Sequence, residues 1–400
     1  MGCPILALRV SSRRVGTRNE GNTVVQSTQS FDQPIIDVDV HERWRRVDEV
    51  MHRLPERWRT LLESRSGGVR ASLMPSGLSY PFQRGVNKRL EALPEDGQGT
   101  SFELMKSQYL DRYPSVEAIN LAFDIGHEVS QRNPEFSVAL ATAMNDWVLE
   151  EWVPLDPRVR TTIVIAPEMP ELAAAEIRRL ADRDAVTGVL FSWNAFGKPL
   201  GHPVYDPIYR AAEEAGLPIV LHGAAGETEG GLAHTAAGGI PGSRLEWHTL
   251  LQQPTLTHLA SYVAQGTFEK FPRLKVLAVE TGLAWVPNFF WRLDAHYTEL
   301  RAESSWVRQR PTDYLREHVK FSTQPMELTP RKEQLIELFE ALGGMDELLC
   351  FSSDYPHWDA DDPFYVASRL PESWRAKVFY DNARSILRLN GLASTSQAAA

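Results

Sequence analysis

Cysteine is scarce in this chain, whose 400 residues include only Cys3 and Cys350. So few cysteines exclude a disulfide framework and favour a reducing compartment. Cys350 lies in the apolar run 348–351, where we expect a buried and unreactive thiol.

Long hydrophobic runs and blocks of like charge are missing as well. No segment reaches the roughly 18 apolar residues of a membrane-spanning helix, and the first residues have their charges on the wrong side for a signal peptide. The net charge of −10 comes from dispersed side chains and repels nucleic acid and anionic lipid. We therefore expect a cytoplasmic protein with a small-molecule substrate and no nucleic-acid or membrane partner.

The chain divides into two polar ends and one long central region. Residues 1–32 and 391–400 have little periodic apolar content and are predicted to be flexible tails. Residues 33–390 are predicted to form one domain. Within it lie eight short apolar stretches typical of strands, at residues 34–40, 118–123, 161–165, 188–191, 218–222, 275–280, 319–322 and 348–351.

Amphipathic helical stretches separate most of these strands, for example at residues 169–182, 208–216, 256–265 and 331–342. Strict alternation of strand and helix predicts parallel strands joined by crossover helices. Eight such units favour an α/β fold that closes into a (β/α)8 TIM barrel, and an open doubly wound sheet is the alternative. Residues 42–116 form a long insertion after strand 1, which could cap the barrel mouth or mediate a subunit contact.

Strand 1 carries three polar residues in alternation, Asp37, Asp39 and His41. Alternate side chains share one face of a strand, and burying polar groups there without partners is costly. A bound metal would satisfy two of them, whereas a hydrogen-bond network at the barrel floor is the structural alternative.

Three later strands also end in ligand-type residues. His222 ends strand 5, Glu280 ends strand 6, and Asp354 follows strand 8, with His357 three residues further on. Each has a structural alternative: a hydrogen-bonded histidine, a salt bridge from Glu280 to Arg292, or a helix cap at Asp354. Barrel enzymes place their chemistry at the carboxyl ends of strands, so the coincidence of four such ends predicts a catalytic centre. Mixed His and carboxylate ligands suit Zn²⁺ or Mn²⁺.

These strand ends lie inside longer recognisable stretches: IIDVDVHE, NDWVLEEW, GHPVYDPIYRAAEEAGLPIVLHG, GTFEKFPRLKVLAVETGLAWVPNFFWRLD, FSSDYPHWD and DNARSILRL. In this order they resemble the amidohydrolase-related family, the group of aminocarboxymuconate-semialdehyde decarboxylase and γ-resorcylate decarboxylase, from about Ile35 to Leu389. The resemblance implies a metal-dependent barrel enzyme with one divalent ion on Asp39, His41, His222 and Asp354. It also implies a homo-oligomer, since relatives are often dimers or tetramers.

Two positions depart from the family pattern. Many members have His-x-His or Glu-x-His at strand 1, where this chain has Asp39-x-His41. Many decarboxylases of the group carry a His after strand 6, where this chain has Glu280. That His helps to bind substrate or activate water, so its replacement bears on the reaction more than on the fold or the metal site.

Three functions are compatible with these residues. The first is a non-oxidative decarboxylase of a small aromatic or unsaturated carboxylic acid, with catalytic roles for Asp354, Glu280 and His222. The second is a hydrolase in which metal-activated water attacks a C–N, C–O or activated C–C bond. The third is a metal-free binding protein on the same barrel, since a fold does not fix a function.

Substrate contacts are harder to assign from sequence. Arg84 and Arg292 could pair with a carboxylate, although Arg292 could equally pair with Asp294. Trp193 and His202 follow strand 4 and could face the mouth, as could His357 after strand 8. His234 and His248 flank a glycine-rich stretch, and we interpret both as structural or surface residues.

Overall fold

A computed structural model describes residues 31–46, 48–63, 88–96, 99–122, 129, 133–192, 195–222, 243–390 and 392. These residues belong to one compact unit that begins at Phe31. The strands are β1 (Ile35–Val40), β2 (Val116–Leu121), β3 (Val159–Val164), β4 (Val186–Phe191), β5 (Ile219–His222), β6 (Val276–Val279), β7 (Val319–Ser322) and β8 (Leu349–Cys350). All eight predicted strands are confirmed, with ends shifted by no more than two residues.

The strands form one parallel sheet in the order β1 to β8. The sheet curls until its first and last strands meet. The Val38 N–H donates to the Phe351 carbonyl at 3.1 Å, and the His41 N–H donates to the Tyr355 carbonyl at 2.8 Å. The predicted barrel is therefore confirmed and the open doubly wound sheet is wrong, since an open sheet would leave β1 and β8 apart.

Helices cover the outside of the barrel. They are α1 (Asp48–Met51), α2 (Glu56–Glu63), α3 (Phe102–Met105), α4 (Pro134–Trp147), α5 (Pro170–Leu180), α6 (Asp206–Ala215), α7 (Arg244–Thr249), α8 (Gln252–Ala264), α9 (Thr267–Lys270), α10 (Val286–Leu300), α11 (Pro311–His318), α12 (Lys332–Leu342), α13 (Pro363–Arg369) and α14 (Asn382–Ile386). The four predicted helical stretches correspond to α5, α6, α8 and α12. Within the described part of the chain, no helix is long and apolar enough to cross a membrane.

The residues that follow β8, numbers 351–362 and here called the β8 loop, are held by the insertion after β1. Lys88 pairs with His357 in an antiparallel bridge, and the Arg89 N–H donates to the Pro356 carbonyl at 3.0 Å. The Arg89 guanidinium also donates to the Ala360 carbonyl. The described part of the insertion thus supports the loop that carries Asp354. Cys350, just before this loop, is fully buried, and burial raises the pKa of its thiol to about 12.

Candidate metal centre

Five ligand-type side chains meet at the carboxyl end of the barrel. Asp39 lies near the end of β1 and His41 directly after it, while His222 is the last residue of β5. Glu280 follows β6 directly, and Asp354 lies in the β8 loop. Parallel strands bring these distant stretches of chain to the same end of the sheet.

The polar atoms of these side chains lie within a few ångströms of one another. His41 Nε2 is 2.9 Å from Asp354 Oδ1 and 3.5 Å from Asp39 Oδ1. His222 Nε2 is 3.7 Å from Asp39 Oδ1 and 3.3 Å from Glu280 Oε2. Two ligands each about 2.1 Å from one ion lie roughly 3.0 Å apart at a right angle and roughly 3.4 Å apart at the tetrahedral angle. The observed separations are therefore those expected of side chains that share an ion.

Asp39 gives the clearest sign that this site suits a cation. Its side chain is fully buried, and neither carboxylate oxygen accepts a hydrogen bond from the residues that the structure describes. A buried carboxylate without compensation is very costly. The site therefore fits a divalent cation, and its mixed nitrogen and oxygen donors suit Zn²⁺ or Mn²⁺.

The ligand-type residues fall into two overlapping groups of four, each with ligand atoms within 4.8 Å of one another. The first contains Asp39, His41, His222 and Glu280, and the second contains His41, Glu280, Asp354 and His357. Neither group holds all four predicted ligands, because Asp354 is grouped with His41 but not with Asp39 and His222. Glu280 belongs to both groups and is therefore placed to ligate as well as to carry a proton.

Burial and like charge act together on two of the carboxyl groups. Burial and the Asp37 charge raise the pKa of Asp39 well above its usual value. Burial and the Asp354 charge do the same to the pKa of Glu280. The protein alone therefore favours the protonated form of both groups. A nearby dication would stabilise their ionised forms, so metal binding and proton release are coupled.

Asp37 behaves differently, although it shares strand β1. Its Oδ2 accepts a hydrogen bond from the Tyr109 hydroxyl at 2.6 Å, and its Oδ1 accepts one from the Ser353 N–H at 3.0 Å. Burial raises its pKa to about 6, against the effect of these hydrogen bonds. Asp37 is thus the hydrogen-bonded residue at the barrel floor, and it joins β1 to the β8 loop beneath the candidate ligands.

The hydroxyl of Tyr109 is expected to stabilise the fold through Asp37. At pH 8 Asp37 is ionised, so Tyr109→Phe removes a buried donor to a carboxylate and should lower the free energy of unfolding by about 1.5–3 kcal/mol. Urea unfolding measures this difference. Tyr297→Phe is the matched control, because the Tyr297 hydroxyl donates to the neutral Val307 carbonyl at 2.9 Å and should cost only about 1 kcal/mol. Equal losses in the two variants would contradict this role.

Glu280 and Asp354 share an unusual backbone conformation. Their φ angles are +55° and +58°, in the left-handed region that side chains other than glycine rarely adopt. Such conformations cost about 1–3 kcal/mol and persist where the surrounding structure fixes them, often at functional sites. The Glu280 N–H donates to Ser322 Oγ at 3.1 Å, and the Asp354 N–H donates to the Asp39 carbonyl at 2.9 Å. These bonds help to hold both carboxylates toward the barrel axis.

A comparison with known proteins now decides the family. The model of the amidohydrolase family matches residues 36–389, which is most of the chain. This chain belongs to the amidohydrolase family. The predicted resemblance is therefore confirmed.

Relatives within the amidohydrolase family are distant in sequence. The γ-resorcylate decarboxylase of Rhizobium radiobacter is 25% identical over 313 residues, which are 76% of this chain and 91% of that protein. An amidohydrolase of Mycobacterium avium subsp. paratuberculosis K-10 superposes with a TM-score of 0.65 at 20% identity, over 89% of this chain and 100% of the other. The 5-carboxyvanillate decarboxylase of Novosphingobium aromaticivorans DSM 12444, complexed with manganese, gives 0.61 at 19% identity, over 88% and 95%. The two superpositions support the barrel fold.

His357, predicted to line the mouth, is buried inside the cluster. Its Nδ1 lies 2.7 Å from Asp354 Oδ1, and its ring stacks on that of His41 with centroids 4.3 Å apart. This amidohydrolase therefore places a second imidazole against Asp354. The contact suits a residue that orients the carboxylate or holds its proton.

The other predicted substrate contacts have different outcomes. His202 caps a short helical turn, since its Nδ1 accepts a hydrogen bond from the Val204 N–H at 3.2 Å. Arg292 lies exposed on α10, and the carboxylate of Asp294 accepts instead from Arg310 at 2.6 Å. The predicted Arg292–Asp294 pair is therefore wrong, because the two residues lie two positions apart on a helix and do not face each other. Arg84, Trp193 and His234 lie outside the described residues.

One pair of side chains near the site was not predicted from the sequence. His248, which we interpreted as structural or on the surface, lies on α7 with its Nε2 3.2 Å from Asp359 Oδ2. Burial is the largest single effect and acts to raise the pKa of Asp359, but the hydrogen bond from His248 and the electrostatic effects of His248 and His357 together outweigh it and lower that pKa. The motif FSSDYPHWD does contain Asp359, but nothing in the sequence links it to a histidine more than 100 residues earlier.

Proposed function

We propose that this protein is a metal-dependent, non-oxidative decarboxylase of a small aromatic carboxylic acid. One observation carries the proposal: His41, His222 and Asp39 converge on a buried point, with the carboxyls of Asp354 and Glu280 beside it. The curated relatives in the family, named γ-resorcylate decarboxylase, give the reaction its class.

The metal would be held by Asp39, His41, His222 and Asp354, and it would supply a positive charge that binds the substrate carboxylate and a neighbouring oxygen. We take Mn²⁺ as the first ion to test, because the Novosphingobium decarboxylase is complexed with manganese. Zn²⁺ is the second ion to test. The donor set alone suits either ion.

Glu280 is the proposed proton donor. Breaking the bond between the ring carbon and the carboxylate releases CO₂ and leaves the electron pair on that carbon, where a proton must be added. Glu280 Oε2 lies 3.3 Å from His222 Nε2, close enough to the proposed ligands for its proton to reach a substrate held there. Burial and the Asp354 charge raise its pKa and favour the protonated acid that this step consumes, whereas a bound dication acts in the opposite direction.

The direct test is CO₂ release from Mn²⁺-loaded protein on a panel of aromatic acids with a hydroxyl beside the carboxylate. We expect turnover of at least one hydroxybenzoate, with loss of CO₂ matched by formation of the corresponding phenol. Turnover should stop on chelation and return with added Mn²⁺. Metal-loaded protein that releases no CO₂ from any acid of the panel would overturn the proposal.

A hydrolase is the second candidate, and one residue favours it. Glu280 occupies the position after strand 6 where many decarboxylases of the group carry a histidine, and a carboxylate there could accept a proton from attacking water. Amide, ester and activated ketone analogues of the same aromatic acids would be cleaved by such an enzyme. Cleavage of these analogues without CO₂ release would establish the second candidate over the first. A metal-free binding protein would contain no stoichiometric metal.

Several sequence expectations remain predictions. They are a homo-oligomer of two or four chains, a cytoplasmic location, one domain over residues 33–390, and flexible tails at residues 1–32 and 391–400. Most of the two tails and residues 64–87 of the 42–116 insertion lie outside the described residues.

A further inference from the structure

We propose that His248 and Trp358 form a distal subsite that binds the end of the substrate ring facing away from the metal, with Asp359 as the positioning residue. This inference rests on the proposed function and adds to it a choice among aromatic acids. The favoured substrate would carry an oxygen substituent opposite the carboxylate that the metal centre holds.

The subsite joins two segments that are distant in sequence. His248 lies on α7, between β5 and β6 in the chain, whereas Asp359 and Trp358 belong to the β8 loop. The contact between His248 Nε2 and Asp359 Oδ2, at 3.2 Å, involves side chains that are 22% and 14% exposed. The pair is thus neither buried in the core nor fully solvated, as expected for groups that line an opening.

Asp359 ties this pair to the metal centre. It lies five residues after Asp354, and the loop between them is held by a hydrogen bond from the Ala360 N–H to the His357 carbonyl at 3.2 Å. The charge of Asp359 contributes to the raised pKa of Glu280, after the larger effects of burial and Asp354, so the two carboxyl groups lie within electrostatic range. The Gln324 amide, just beyond β7, also donates to the Asp359 carbonyl at 3.4 Å. His248 therefore contacts a residue whose loop is held in place and whose charge acts on Glu280.

The chemistry of the pair suits recognition of an oxygen atom. A carboxylate on one ring nitrogen fixes the tautomer and orientation of a histidine and leaves the other nitrogen for a second partner. Since Asp359 contacts Nε2, Nδ1 of His248 is the atom for a substrate hydroxyl. The inner site contributes the carboxyl groups of Asp39, Glu280 and Asp354. The imidazole of His248 adds a ring nitrogen that can form a hydrogen bond with a phenol hydroxyl.

Trp358 gives the subsite an aromatic wall. Its ring lies 5.4 Å from the ring of His248, and the residue is 51% exposed. A half-exposed indole beside a metal centre offers a flat apolar surface on which an aromatic ring can stack. Together His248 and Trp358 suit a planar aromatic acid with a polar group opposite its carboxylate. An aliphatic acid would contact neither side chain.

The test compares two acids that differ only in the hydroxyl opposite the carboxylate, 2,6-dihydroxybenzoate and 2,4,6-trihydroxybenzoate, on Mn²⁺-loaded protein. We expect wild type to prefer the trihydroxy acid in kcat/KM by about 2- to 10-fold, the factor that one hydrogen bond between uncharged partners provides. His248→Ala should abolish that preference, mainly through KM. His296→Ala, which removes an exposed histidine from α10, should leave it intact. Trp358→Ala should lower kcat/KM for both acids by a similar factor.

Two results would overturn the subsite. One is a wild-type enzyme without preference for the trihydroxy acid, and the other is a preference that survives His248→Ala. A merely structural role for His248 would lower kcat/KM for both acids equally and leave their ratio unchanged.

Binding calorimetry separates this inference from the proposed function. Wild type could release no CO₂ and yet bind the trihydroxy acid more tightly than the dihydroxy acid, with the difference in affinity lost in His248→Ala. The decarboxylase proposal then fails and the subsite stands. If CO₂ is released without such discrimination, the subsite fails and the proposed function stands.

Discussion

His41→Ala is expected to remove the bound metal and to lower kcat by at least about 10³-fold, a loss typical of removing a central catalytic group. His41 belongs to both overlapping ligand groups, as Glu280 does, and its Nε2 lies 2.9 Å from Asp354 and 3.5 Å from Asp39. Without the His41 imidazole, the ion would lose one nitrogen ligand. Asp39 and Asp354 would also lose the side chain that lies between them. His222→Ala should behave in the same way.

Metal content is measured by mass spectrometry of dialysed protein, and folding by circular dichroism. His296→Ala is the control for loss of a histidine, because it lies exposed on α10 and should keep both metal and activity. The barrel should still form in His41→Ala, because its core consists of apolar strand residues rather than the metal. A His41→Ala enzyme that turns over without metal would exclude the proposed mechanism.

Glu280→Gln is expected to lower kcat by about 10²- to 10⁴-fold while the protein keeps its metal, since general acid catalysis contributes that much. Glutamine has nearly the same shape as glutamate but cannot carry the transferable proton. The position is also buried beside His222, so the substitution should leave the packing intact. Turnover and metal content are measured on the same preparation.

The comparison between activity and metal decides the role of Glu280. If metal and turnover fall together, Glu280 is a ligand, as its membership of the group with Asp39, His41 and His222 allows. Asp354→Asn then becomes the informative partner, because Asp354 would be left as the proton carrier with His357 against it. Full activity in Glu280→Gln would exclude Glu280 from the chemistry altogether.

The barrel could be predicted because its signal is local and repeated. Each strand is a short apolar run between helices of clear periodicity, and parallel order follows from alternation alone. The β1 to β8 closure, seen in the hydrogen bond from Val38 to Phe351, needed only the count of eight units. The ends of β2 to β4 were displaced by up to two residues because polar residues such as Glu117 and Arg160 also occupy strand positions.

The inner site could be predicted because the carboxyl ends of all strands lie at the same end of a barrel. Asp39, His222 and Glu280 each lie at or beside a strand end, so one rule brought them together. The role of Asp37 could not be separated from that of Asp39 in this way. The difference arises from the Tyr109 hydroxyl, which comes from a helical segment 72 residues later in the chain.

The outer contacts could not be predicted because they join loops whose paths depend on tertiary packing. His248 meets Asp359 across 111 positions of sequence, and no periodicity encodes such a pair. The substrate contacts predicted for His202 and Arg292 remain predictions. Both follow strands in sequence, but local structure uses His202 as a helix cap and turns Arg292 to the solvent face of α10.

The proposed function requires that Asp39, His41, His222 and Asp354 bind one divalent cation. Anomalous X-ray diffraction from crystals of Mn²⁺-loaded protein, recorded on both sides of the manganese edge, would locate that ion. We expect one strong peak about 2.0–2.3 Å from a ligand atom of each of the four side chains. A peak bound by Glu280 in place of Asp354, or no peak among these residues, would contradict it.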